Sequence, residues 1–147
     1  LKFAHKTFSL PKVIHPSTKG GSEGDGHSLA AGNLVFNFFL DGLIYTQDAS
    51  IVLFNHYPHS WLTNEEMNLT SLQTLFGKVN LKIEQQTSMT IIRFTLSKQH
   101  RNKTLTLHVA KLYHSFQIDD STIEIKNTLI HLPLTSCTIM LFKKNAQ

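Results

Sequence analysis

The chain has 147 residues, 41% of them apolar, with a formal charge of +4 and a pI near 9.3. That length suits one domain with a substantial core, so residues 1–147 are read as a single domain. No run approaches the roughly 18 apolar residues a spanning helix needs, and the mild basic excess permits an anionic partner without demanding one. The single cysteine, Cys137, precludes an internal disulfide and a Cys-based zinc site, and in a strand pattern it reads as a small buried thiol. The chain begins at Leu1 with no basic-then-apolar signal pattern, which fits a processed product or an excised domain. Two glycosylation sequons, at Asn68 and Asn102, occur about as often as chance would give, so the compartment stays open.

Leu1 to Ile14 reads as extended chain anchored by Phe3, Phe8, Leu10 and Val13, with Pro11 at an edge or a strand end. Residues 17–33 form a Gly/Ser-rich mobile loop, because Lys19 to Gly26 cannot bury enough to offset the entropy of ordering it. Leu34 to Leu40 is apolar at nearly every position and is expected to be a central strand covered on both faces. Asp41-Gly42 then reads as a hairpin turn into Leu43 to Tyr45, and after a turn at Gln47 to Ser50 the strand Ile51 to Phe54 completes a meander. Asn55 to Trp61 is a loop.

One helix is expected, at about 64–76. Thr63 and Glu66 have capping-box spacing, Leu62 and Met67 can staple the entry, and Leu69, Leu72, Leu75 and Phe76 repeat at helical intervals before Gly77. From Val79 to Leu141 the period changes to two. Val79, Leu81 and Ile83, then Ile92, Phe94 and Leu96, then Leu105, Leu107 and Val109 alternate with polar residues, as half-buried strands do. Leu112, His114, Phe116 and Ile118 follow on one predicted face, then Ile123 and Ile125, then Cys137, Ile139 and Leu141. The expected fold is an all-β antiparallel sandwich of about eight to nine strands, with the helix inserted between two meanders.

Nine histidines raise the question of a metal. His56 and His59 could join His27, Asp25 or Glu23 if their loops met, but Pro58 spoils the local spacing and no pattern brings the loops together. There is no Gly-x-Ser-x-Gly elbow, no paired carboxylate outside a helix start or a turn, and no phosphate-cradling glycine loop. This weighs against an enzyme, and no cofactor is expected. Lys98, His100, Arg101 and Lys103 cluster at a predicted hairpin tip, where an anionic group would relieve their repulsion. Tyr57, His59 and Trp61 share one loop and offer aromatic anchors.

The leading expectation is a non-catalytic interaction module that holds another protein or an anionic glycan through these two sets of residues. One alternative is a His-ligated metal-dependent hydrolase or metal-binding domain built on His27, His56 and His59. Another is a nucleic-acid-binding β domain. It is not favoured, because the strands beside the basic turn present Thr95, Thr104, Thr106 and His108 rather than stacking aromatics.

Overall fold

The structure is a computed structural model, and it describes residues 13–15, 17–18, 21–23, 29–58 and 66–144. Its contacts divide the chain into two compact units, Leu1–Asp41 and Gly42–Gln147. In the first, β1 (Val13–Ile14) pairs antiparallel with β2 (Gly21–Glu23), and α1 (Leu29–Leu43) follows, its last two residues belonging to the second unit. The predicted central strand at Leu34 to Leu40 is therefore helix, and Asp41-Gly42 is not a hairpin turn but the last turn of α1. A run apolar at all but one position has no clear period to read, so its length decides, and Leu29–Leu43 makes four helical turns. The helix also takes in Leu29 to Asn33, the end of the stretch expected to be loop. Its end is closed within the second unit, where the Phe54 amide donates to the Leu43 carbonyl at 2.8 Å and the His56 amide to that of Gly42 at 3.3 Å.

The second unit is a β-sandwich. Its four-stranded sheet has the order β11 (Leu129–Leu134), β8 (His100–His108), β4 (Ser50–Leu53), β3 (Ile44–Gln47). Its six-stranded sheet has the order β10 (Ser121–Glu124), β9 (Tyr113–Ile118), β12 (Cys137–Lys143), β7 (Met89–Leu96), β6 (Gly77–Gln85), β5 (Met67–Thr74). The molecule is mostly β with one helix among the described residues, as the alternation required. Among the described residues the sandwich has ten strands, where about eight to nine were expected. Every pairing is antiparallel except β4 with β8, which run parallel with Ile51 opposite Leu105 and Leu53 opposite Leu107. That exception arises because β5, β6 and β7 intervene in sequence and lie in the other sheet.

Between the sheets lie the alternate residues of the facing strands. Val79, Leu81, Ile83, Ile92, Phe94 and Ile139 from one side meet Ile51, Leu53, Leu105, Leu107 and Leu134 from the other, all at most 1% exposed. Each such side chain contributes on the order of 1.5–3 kcal/mol over its exposed state. One hydroxyl pair interrupts the apolar layer. Thr90 Oγ1 donates to Gln85 Oε1 at 2.8 Å, so the Tyr113 hydroxyl, 2.7 Å away, donates to Thr90.

Two further predictions change here. Within the predicted helix, Met67 to Thr74 forms the edge strand β5 paired with β6. Its apolar spacing satisfies both periods, because a bulge between Leu69 and Leu72 returns Leu72 to the inner face. Ser71, in the bulge, has φ of 57°, and its amide donates to Asn80 Oδ1 at 2.7 Å. Packing on β6 thus outweighs the helical spacing of Leu69 and Leu72, while Thr63 lies outside the described residues, and Gly77, with φ of 109°, turns a hairpin instead of ending a helix. The alternation sets His114 on one face with Leu112, Phe116 and Ile118, the face that packs into the core. His114 is instead exposed and Tyr113 is buried, because a register break opposite Phe142 and Lys143 shifts the phase of β9.

Candidate interaction surfaces

The predicted basic hairpin tip is not a hairpin. β7 lies in the six-stranded sheet and β8 in the four-stranded one, so Ser97 to Gln99 crosses between sheets. The crossing is tied down on the β6 side, where the Ser97 amide donates to the Lys78 carbonyl at 2.9 Å and Ser97 Oγ accepts from the Lys78 amide at 3.0 Å. Lys98 is exposed in the bend, while His100, Arg101 and Lys103 fall within β8. His100 Nε2 donates to the Phe76 carbonyl at 3.2 Å, and its ring lies 5.5 Å from that of Phe76. Lys103 is half-buried, and the next amide, of Thr104, donates to the Ala49 carbonyl at 3.0 Å. The side chain of Arg101 lies outside the described atoms. Lys98, His100 and Lys103 thus follow one another from the bend into β8.

Tyr57 is 8% exposed, with its ring 6.3 Å from that of Phe54, and burial pushes its phenol above the ordinary value. It anchors the loop to the core. His59 and Trp61 lie outside the described residues, as does His27. His56 is exposed, with Nε2 3.1 Å from Asn55 Nδ2. Among the described residues no three His, Cys, Asp or Glu side chains converge as a metal set.

A surface the sequence reading did not single out is the outer face of the four-stranded sheet. The registers align His131, Thr106, Val52 and Tyr45 across all four strands, with Pro133, Thr104, Ser50 and Gln47 in the next row and Leu129 opposite His108. None of these outward positions carries a fixed charge. Thr106 Oγ1 and His131 Nδ1 are 3.1 Å apart, and Thr106 is only 9% exposed although it faces outward. Tyr45 is 41% exposed and Leu129 39%. Tyr45 stands on β3, which has no neighbour on its far side among the described residues. The signal was available: Thr104, Thr106 and His108 alternate with buried leucines, and Tyr45 and Val52 share their phase once the turn at Asp48-Ala49 is placed.

The outer face of the six-stranded sheet differs. Glu84 sits between Lys82, at 2.6 Å, and Arg93, at 3.2 Å, and the Lys82 contact followed by that of Arg93 holds its carboxyl below the usual glutamate value. Beyond Arg93 an open cavity of about 440 Å³ is lined by Asp119, Ser136, Cys137, Thr138 and Met140. Burial, and secondarily the charge of Asp119, pushes the Cys137 thiol up to about 11, so it is almost wholly protonated near neutrality and a poor nucleophile.

No protein-family model, curated protein or solved structure matches this chain.

Proposed function

We propose that the chain is a non-catalytic interaction module whose β-sandwich docks another protein on the outer face of its four-stranded sheet, centred on Tyr45 and Val52. The observation that carries this reading is the absence of fixed charge from the aligned outward positions, together with an accessible aromatic beside an aliphatic residue on a strand with no outer neighbour among the described residues. Tyrosines with an apolar body and a hydrogen-bonding tip are the residues most often found at the centre of protein contacts, where charged groups are depleted. The Thr106–His131 pair supplies polar atoms already oriented beside it. An anionic glycan fits this face poorly, since it offers no cation.

The test is affinity capture from the native source with the wild-type chain and with Tyr45→Arg and Val52→Lys variants. A protein retained by the wild type and lost from both variants, with unchanged circular dichroism, supports the reading. Equal retention by all three would remove it.

A further inference from the structure

The first unit presents a different problem. From Leu29 to Leu40, α1 carries no charged side chain, yet Leu29, Leu34, Phe36 and Phe38 are 86%, 72%, 60% and 69% exposed. Asn33 and Asn37 are the polar side chains of this stretch, and large apolar side chains exposed this densely beside them mark a contact surface. At about 22 Å the helix is short of the roughly 30 Å hydrocarbon layer, and it lacks the basic residues that hold interfacial helices on anionic lipid. The large side chains fall on two flanks. Leu34 and Phe38, four residues apart, share one with Ala30 and Asp41, and Leu29 and Phe36, seven apart, share the other.

The charge at the ends indicates the occupant. No acidic residue lies in the first turn and no basic residue in the last, where Asp41 stands instead. A carboxylate near a helix C-terminus opposes the macrodipole and would be favourable beside an N-terminus. An antiparallel second copy answers both needs. If Leu34 of each copy packs on Phe38 of the other, the same register sets Asp41 level with Ala31, in the first turn of the opposite helix.

We propose that α1 is a self-association element: two copies of the chain pair antiparallel through the Leu34–Phe38 flank, each Asp41 beside the first helical turn of the other copy. The small Ala30 on this flank lets the ends approach. The two exposed side chains offer roughly 250 Å² per copy, or about 500 Å² in total, well under the roughly 1,200 Å² of a standard interface. The pair is accordingly weak and depends on concentration.

Sedimentation velocity of the full chain, from about 1 μM to about 1 mM, tests it. The wild type is expected to pass from monomer to dimer within that range, and Leu34→Lys to stay monomeric throughout. Asp41→Lys should weaken dimerisation about tenfold, although Lys favours the C-terminus of an isolated helix and should raise helicity in the monomer. Phe36→Lys, on the other flank, should dimerise as the wild type does. A wild type that is monomeric throughout overturns the proposal. So does an Asp41→Lys chain that pairs as tightly as the wild type, or a loss of pairing in Phe36→Lys with retention in Leu34→Lys.

Discussion

Replacing Thr90 by Val removes one hydroxyl from the inner face of the six-stranded sheet and changes the volume there very little. Thr90 is 1% exposed and Tyr113 2%, and the proton order runs from Tyr113 to Thr90 to Gln85. In Thr90→Val the tyrosine hydroxyl keeps its burial and loses its acceptor, which costs about 1–3 kcal/mol. Tyr113→Phe is the milder change. Thr90 still donates to Gln85, so only the net worth of one hydrogen bond is lost, about 0.5–1.5 kcal/mol. The double variant leaves no orphaned tyrosine hydroxyl and should be no less stable than Thr90→Val alone. Urea unfolding followed by circular dichroism gives the four stabilities, and thermal midpoints should fall by about 3–5 °C per kcal/mol at this chain length. If Tyr113→Phe proves costlier than Thr90→Val, or if the two losses simply add, the assigned proton order is wrong.

Gly77→Ala meets both an unfavourable φ of 109° and Ser97 Oγ at 2.6 Å from the new methyl, so a loss of about 1–2 kcal/mol is expected in urea unfolding. Part of that loss should return when Ser97 is also made Ala. Since the folded-state value of Glu84 is depressed, the stability it adds is complete above the ordinary value of 4.5 and disappears as pH falls through the lowered one. Glu84→Gln should therefore flatten the pH dependence of the unfolding midpoint in that acidic window and leave its slope near neutrality unchanged. At pH 8, alkylation of Cys137 in the folded chain should run roughly a hundredfold slower than that of a free thiol, and full speed should return in urea. Equal rates with and without urea would contradict the half-buried placement.

What could be read from the chain beforehand was what depends on a period of two. Val79 to Ile83, Ile92 to Leu96 and Cys137 to Leu141 alternate without interruption, and each lies in a strand as expected. Where the outcome depended on a partner strand or on a missing period, the residues gave no warning. Leu34 to Leu40 is apolar at every position but Asn37, so its pattern fits either element. Met67 to Thr74 repeats its apolar residues at helical intervals, a spacing that pairing with β6 overrides. His114 is moved to solvent by a bulge set by β12, a strand about 25 residues further along the chain. The Lys98 to Lys103 segment matched a hairpin tip because β7 and β8 both alternate, and alternation says nothing about which sheet a strand joins. The uncharged outer face was half visible in Thr104, Thr106 and His108, but Tyr45 and Val52 join it only through the parallel pairing.

That parallel pairing also constrains the order in which the molecule can assemble. Ser50 to Leu53 finds its neighbour in Thr104 to Leu107, some fifty residues on, and the loop entropy of that closure must be met before the pairing returns anything. Until then the β3–β4 ribbon is an isolated two-stranded piece of marginal persistence in water. The β5–β6–β7 meander, built from adjacent hairpins, has no such wait and can form first as a platform. A chain shortened to end before β8 would strand Ile51 and Leu53 in water, with an unpaired edge ready to recruit whatever strand comes by.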